Sequence, residues 1–500
     1  MYDEAVEAGR DALSRGAWPA ARRQFEKALE IAATPEAYEG LSWAAWWLED
    51  VAACLDARER AYRLYRQADD VRGAARMALW LGDDHNEFHG ADAVAEGWFN
   101  RAGRLLEDLD CPERGWLTVF DAHGALNRHD TGRARVLAVQ ARDVGRRHRA
   151  VDLEMFSLAT EGLALVAEGA VEQGMRCLDE ASAAALGGEY ENLAPAAWTC
   201  CQLMSVCEEI RDYERGAQWC RQIDEFSRRM EARFVIGVCR AHYAAILGWH
   251  GKVIEAELEL TGAQAELTAK RPYWRAEAVV RLGELRRRQG RLAEAEALFN
   301  EVSWHPLAKR GVAELSLDRG DPAAARAVLD RVLRQVPAVG SVGRAWPLEL
   351  LVRAETALGE LDAAATHLAE FCSIAASVGT RPLRAAARFL EGLYAAALGD
   401  HDKARVCFED AVELYDGMAP FEADQARAEL TRVPSRSMLT ARQVAVLRLV
   451  AAGLGDRDIA ERLVISEHTV HRHVANIYTR LGCSTRAAAV SRATQLGLMA

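Results

Sequence analysis

The sequence predicts an all-α protein: a solenoid of helical hairpins followed by a small four-helix domain. Three observations carry that prediction. Proline is scarce, at 12 of 500 residues, and the alternation of polar and apolar residues that marks half-buried strands is missing. A four-position pattern recurs along most of the chain. Composition then changes near Thr431: from Pro434 onward there are nine Arg, no Lys and four Asp or Glu, a net of +5, against −17 for the remainder. The overall charge of −12 argues against a surface coated throughout for polyanions. Divided, it describes an acidic body carrying a basic tail.

The repeat consists of a Gly-like slot, a small residue five later, a bulky apolar residue four after that, and another apolar residue three further on. Gly16-Ala21-Phe25-Ala28, Gly90-Ala95-Phe99-Ala102 and Gly399-Ala404-Phe408-Ala411 are the fullest copies. Relatives begin at Gly169, Gly251, Gly290, Gly320 and Gly359, and weaker ones at Glu49, His129 and Arg211. The spacing clusters near 40 residues. Glycine suits the turn that ends one helix because a left-handed backbone carries no Cβ penalty there. The small residue lets the next helix lie close, and the last two positions share a face one helical turn apart. Each unit is a hairpin unable to bury its apolar face alone, so stacking predicts a solenoid with a long concave groove. This spacing resembles tetratricopeptide repeats, over about residues 3 to 430. Their usual period is 34, so longer helices or looser turns are expected here. The array is assigned to residues 1–430, with about eleven hairpins.

Half the residues are apolar and 27% charged, as in globular chains. The longest uncharged run, Asn192 to Cys207, is 16 residues, short of the roughly 20 needed to span a bilayer. Neither a transmembrane helix nor membrane association is expected. The Met-Tyr-Asp-Glu start lacks the basic and apolar regions of a signal peptide, so a cytoplasmic location is expected. Eleven cysteines then read as reduced thiols, mostly small apolar fillers.

Residues 431–438, with Pro434, Ser435 and Ser437, read as a linker, and 439–500 as a separate domain. Thr440-Ala-Arg-Gln443 is a capping box opening a helix that runs to Gly453. Asp456 is expected to cap a second helix bearing Ile459, Ala460 and Leu463. After the turn at Ile465-Ser466, Ser466 caps a third helix whose inward face is Val470, Val474, Ile477 and Leu481. Gly482 closes it. Ser484 or Thr485 starts the last helix, with Ala489, Val490, Ala493 and Leu496 as its apolar stripe.

Across Leu439 to Leu498 this stretch resembles the LuxR-type helix-turn-helix family of bacterial transcription regulators. The matching residues are Leu439-Thr440-x-Arg442, Val446-Leu447, Gly453, Ile459-Ala460-x-x-Leu463, Ile465-Ser466-x-x-Thr469-Val470-x-x-His473, Ile477, Leu481, Ser484-x-Arg486 and Gly497-Leu498. His471 stands where Lys is usual, Gln443 and Ala488 where Glu is usual, and Asp456 where Asn is usual. The resemblance implies binding to double-stranded DNA. With Val470, Val474 and Ile477 inward, the outward face presents Glu467, His468, His471, Arg472 and Ala475 to base edges in the major groove. Arg472 offers guanine a bidentate fork, and His471 and Arg472 are expected to set sequence preference. Ser466, Thr469, Arg457 and Arg462 are placed for phosphates. One such motif makes few contacts, so a homodimer on paired half-sites is expected. In this family the last helix supplies a dimer contact, here Val490, Ala493, Thr494 and Leu496, with self-burial in the monomer as the alternative.

Seven tryptophans crowd the first quarter of the array. Borrowing the tetratricopeptide rule for groove-facing positions puts Glu36, Glu39, Trp43 and Trp46 on the concave side, followed by Trp80 and Trp116. Such a lining suits a peptide, a protein or a small cationic effector. Packing of these indoles between helices is the competing reading, and the more usual fate of bulky first-helix residues. His85 and His89, one turn apart beside Asp83 and Asp84, read as a polar turn rather than a metal site. The grouped Cys200, Cys201, Cys207, Cys220 and Cys239 read as filler rather than a redox sensor.

Catalysis has little support. Gly251-Lys252 lacks the rest of a phosphate loop, and no nucleophile elbow, zinc-protease helix or dinucleotide fingerprint occurs. No enzyme activity and no cofactor are expected. The combined expectation is a one-component transcription regulator whose array senses an effector and whose basic domain reads promoter DNA. The alternative is a protein-interaction scaffold with a terminal docking module.

Overall fold

The computed structural model of the chain describes residues 1–336, 340–434, 439–496 and 498. Helices account for all regular structure among them, and no strand occurs. From Tyr2 to Tyr415 the helices pair into eleven antiparallel hairpins, each joined by a tight turn, and a further helix, Pro420–Arg432, covers the end of the stack.

Every first-slot residue of the repeat turns the chain in the same way. All eleven, from Gly16 to Gly399, have φ between 56° and 89°, including the non-glycines Glu49, His129 and Arg211. The turn is closed by a backbone bond such as Ala17 N–H to the Ala12 carbonyl, 2.9 Å, which satisfies a carbonyl left over at the helix end. Asp50, Asp130, Asp212, Asp321 and Asp400 directly follow this residue, and each carboxylate caps the next helix through a backbone N–H. Pro35, Pro112, Pro272 and Pro306 open the first helices of four hairpins, where their missing N–H costs nothing.

The second-slot small residues are all buried. The third slot holds Phe25, Phe299 and Phe408, wholly enclosed, because facing helices offer glycine. Phe25 lies between Gly9 and Gly40, Phe299 between Gly283 and Gly311, and Phe408 against Gly392. A Cβ at Gly9 would stand 2.8 Å from the Phe25 ring. Gly40→Ala is therefore expected to cost about 1–3 kcal/mol through overpacking. Gly97, helical with nothing within 4 Å of its would-be Cβ, should gain about 0.4–1 kcal/mol on the same change. Urea unfolding of both variants tests this, and equal effects would contradict the account of the glycine seats.

One third slot is filled by Arg58. Its guanidinium is buried with Asp84, Nε to Oδ2 3.0 Å, each side chain 1% exposed, and lies 4.4 Å from the Trp43 ring centre. Burial pushes the Asp84 carboxyl up to about 6 even with Arg58 beside it.

The solenoid winds tightly enough that successive superhelical turns touch. Side chains 170 to 225 residues apart in sequence bond to one another's backbone. Trp18 Nε1 donates to the Glu231 carbonyl, 3.2 Å, Lys270 Nζ to that of Glu49, 2.7 Å, Ser377 Oγ to that of Gly169, 3.1 Å, and Thr380 Oγ1 to that of Ile210, 2.7 Å. Two of the non-glycine turn residues find their reason here. The Glu49 carboxylate accepts from Thr268, 2.6 Å, and Arg211 pairs with Glu349. At these turns a side chain clasping the next coil offsets the left-handed strain.

The long open groove expected from hairpin stacking is thereby corrected. Inward-facing side chains of both coils merge into one core, in which Trp46 meets Phe234 at 5.4 Å and Trp198 at 6.0 Å. What remains open are separate cavities. The last array helix also continues through Thr431 to Arg432, past the expected start of the linker, whose residues 435–438 lie outside the described part of the chain.

Candidate nucleic-acid interface and array cavities

The terminal unit has its own core, built from Leu439, Val446, Leu447, Ile459, Val470, Ile477, Ala489 and Ala493. Its first helix, Ala441–Ala451, starts with the reciprocal Thr440–Gln443 cap: Gln443 N–H to the Thr440 hydroxyl is 3.2 Å, and Thr440 N–H to Gln443 Oε1 is 2.8 Å. The second helix, Asp456–Leu463, begins one residue earlier than expected. Gly455 is its cap, held by the Asp458 carboxylate at 3.3 Å. Asp456 instead pairs with Arg486.

A sharp turn leads into the third helix, Glu467–Leu481. Val464 takes a left-handed φ of 54° and is 90% exposed, while Arg442 Nη2 bonds the Leu463 carbonyl at 2.6 Å. Arg486 braces the other side through the Leu454 carbonyl, 2.9 Å. Part of the tail's positive charge therefore holds the helix-turn-helix angle, a role the net charge did not reveal.

Ser466 Oγ caps the third helix through Thr469 N–H at 3.1 Å, and the two hydroxyls are 2.7 Å apart. Val470, Val474, Ile477 and Leu481 are buried. Glu467, His468, His471, Arg472 and Ala475 are all exposed on the opposite side. The structure thus brings together the five expected base-reading residues. His471 leans toward Asp456, Nδ1 to Oδ2 3.7 Å. Arg472 has no hydrogen-bonding or ionic partner among the described residues, and neither has Arg462. Arg457 makes one long exposed contact with Glu461, 3.6 Å. Exposed Asn476, one turn beyond Arg472, belongs to the same face. Its offset of four could have identified it, and its amide is suited to adenine.

The last helix, Arg486–Gln495, is capped by Thr485 at 3.2 Å. Ala493 must be removed from the dimer set: it is fully buried within its own domain, and Val490 packs partly against the same core. Thr494 and Leu496 remain exposed. Gly497 lies outside the described residues.

In the array, a cavity of about 630 Å³ is lined by Glu36, Glu39, Trp43, Trp80 and Trp116 among others. Trp43 and Trp80 are nonetheless mostly buried, packed edge to face at 5.1 Å, so they serve both as core and as cavity floor. Trp46 does not line it. It is fully buried beneath the Arg271 guanidinium, 4.1 Å from its ring centre, because the next superhelical turn covers it. The acidic character expected of this wall is largely cancelled: Arg76 grips Glu39 at 2.6 and 2.8 Å and Glu113 at 3.2 Å, and Arg72 holds Glu113 at 2.9 Å. Glu113 sits below the usual carboxylate range: its burial is outweighed by these two arginines.

The weaker constellations resolve into packing. Asp84 is turned to Arg58 and Cys54 rather than to His85 and His89, whose rings are 5.8 Å apart. Cys200, Cys201, Cys207, Cys220 and Cys239 are buried. Burial raises the Cys200 thiol to about 12, far from a reactive thiolate. No described helix is long and apolar enough to cross a membrane.

Residues 437–493 match the family model for bacterial regulatory proteins of the luxR family, and residues 385–416, the eleventh hairpin, match that of the tetratricopeptide repeat. An HTH-type transcriptional regulator of Mycobacterium bovis is 37% identical over 103 residues, 20% of this chain and 12% of that protein. The HTH-type transcriptional regulator AlkS of Alcanivorax borkumensis is 41% identical over 78 residues, 16% of this chain and 9% of that protein. The chain therefore spans about a tenth of the length of these relatives. Yeast Tom70 aligns with 86% of this chain and 95% of its own at 13% identity, with a TM-score of 0.37.

Proposed function

We propose that this chain, a tetratricopeptide-like array ending in a luxR-family helix-turn-helix domain, is a sequence-specific DNA-binding transcription regulator of the cytoplasm. The observation that carries the reading is the outward face of Glu467–Leu481. It is exposed, includes Arg472 and adjoins Arg462, neither with a partner among the described residues, and is set on a braced turn. Arg472 and Asn476 supply fork-like donors for base edges, and Arg462, Arg457, Ser466 and Thr469 supply phosphate contacts. Exposed Thr494 on the last helix and Leu496 just past its end are the residues offered to a homodimer. The array is the sensing part: the cavity bordered by Glu36, Glu39, Trp43, Trp80 and Trp116 is large enough for a small molecule or the side chains of a peptide.

Selection of sites from a random duplex library by the full-length protein tests the reading. Two half-sites about one helical turn apart, 34–36 Å, are expected in the enriched duplexes. Enrichment of a single half-site would remove the dimer, and no enrichment would favour an interaction scaffold.

A further inference from the structure

We propose that a second cavity of the array is a binding site for an organic ammonium ion, an inference that rests on the array being the sensing part and names the chemistry it takes. This cavity, about 830 Å³, is separate from the tryptophan-floored one and lies across an aromatic partition from it. Trp80 stands between them, 5.7 Å from Phe120 and 5.9 Å from Trp198. Both latter rings, with Phe156, line the second cavity.

The charges of the two cavities differ in kind. In the first, Arg72 and Arg76 neutralise the carboxylates. In the second, the lining carries Asp83, Glu87, Asp92, Glu96 and Asp121 and one arginine, Arg128, while the charges of Arg58 and Arg271 also act on Asp83 and those of Arg133 and Arg114 on Asp121. Burial pushes His123 down to about 4, so it adds no cation near neutral pH. Glu87 is already paired, with Arg271. Asp83, Asp92, Glu96 and Asp121 have no hydrogen-bonding or ionic partner among the described residues. Asp83 is half-buried, and its carboxyl is raised well above the usual range, by burial first and then by Glu87 and Asp84. Gln202 also lines the cavity; its Oε1 is enclosed without a hydrogen bond, and its Nε2 lies 3.3 Å from His123.

Asp92, Glu96 and Asp121 are solvent-exposed around the cavity, whereas Asp83, partly buried and inclined to keep its proton, gains from a ligand whose positive charge stabilises the ionised carboxylate. The aromatic walls favour the same ion, since ring faces attract cations and accept an apolar body. An amine whose ammonium sits near Asp83 and whose hydrocarbon part lies against Phe120, Phe156 and Trp198 meets both demands. A neutral or anionic ligand meets only one or neither.

The test is isothermal titration calorimetry of the full-length protein with 2-phenylethylamine, spermidine and n-butylamine, each beside a neutral counterpart such as 2-phenylethanol. At least one amine is expected to bind, roughly tenfold or more tighter than its neutral counterpart. Asp83→Asn, which keeps the size of the side chain, should weaken it by a similar factor. Asp121→Asn, at the exposed rim, should weaken it less. A thermal unfolding profile unchanged from the parent shows that each variant is folded. Failure of all three amines to bind at millimolar concentration would overturn the site. So would equal affinity for amine and alcohol, or an affinity indifferent to both aspartates. Adding the bound amine to a DNA-binding assay separates the two readings. Binding without any change in DNA affinity would remove the sensing role and leave the site. A change in DNA affinity produced by the neutral alcohol would remove the ammonium preference and leave sensing.

Discussion

Arg472→Ala should abolish preference at one base pair of each half-site while leaving the domain folded. The side chain is exposed, has no partner among the described residues and lies on the face opposite the buried Val470, Val474 and Ile477, so truncation removes no contact seen among them. On the proposed reading, what is lost is a bidentate fork to guanine, worth about 1–3 kcal/mol of discrimination, or roughly tenfold to a hundredfold in relative affinity. Arg462→Ala supplies the contrast. A phosphate contact carries no sequence information, so its loss should weaken all duplexes alike and flatten the salt dependence by about one unit of slope. Site selection with both variants decides the matter. An unchanged motif for Arg472→Ala would assign base reading elsewhere on the helix, with Asn476 and His468 the next residues to examine.

Arg271→Ala should strongly destabilise the array. The side chain is fully buried between the faces of Trp46, at 4.1 Å, and Phe234, at 4.3 Å, and it pairs with Glu87 and with Glu49 at 3.4 Å. It also donates to the Trp46 carbonyl, 3.3 Å. Residues 46, 49 and 87 belong to one superhelical turn and residue 271 to the next, so this cation pins two coils together. Truncation leaves a cavity between two aromatic faces and two carboxylates facing each other without a counter-charge. Breaking a buried pair in this way costs about 3–5 kcal/mol, and urea unfolding should show that loss. Arg271→Ala combined with Glu87→Gln should recover part of it, because one of the stranded charges is gone. A shift below about 1 kcal/mol for the single variant would mean that the coils do not depend on this contact.

The local architecture was legible in the sequence because its rules are local. A glycine or its substitute, a small residue and a bulky one at fixed offsets describe a turn and a helix face, and all eleven turns take the left-handed backbone. The capping box at Thr440 and the inward face of the third helix of the terminal domain were legible for the same reason. What escaped was non-local. That Gly9 and Gly40 seat Phe25 depends on which helices become neighbours. That Trp46 is covered depends on a partner 225 residues away, which no periodicity encodes. Arg442 and Arg486 count in the sequence only toward the net charge and the family match, and the fold shows them bonded to the backbone carbonyls of Leu463 and Leu454, at the two ends of the second helix. Ala493 was placed on an apolar stripe correctly, but a stripe alone does not say whether it faces its own core or a second copy.

The two weak turn slots at Glu49 and Arg211 carry the same lesson in reverse. They break the glycine rule because their side chains hold the next coil, whereas a glycine turn such as Gly169 meets it through its backbone carbonyl.

The most direct test of the account is the affinity of the full-length protein for its selected duplex and for a scrambled duplex of equal length, measured between 50 and 200 mM salt. The account predicts tighter binding to the selected duplex by at least about a thousandfold, with affinity for both falling steeply as salt rises. Equal affinity for the two duplexes, or affinity indifferent to salt, would contradict it.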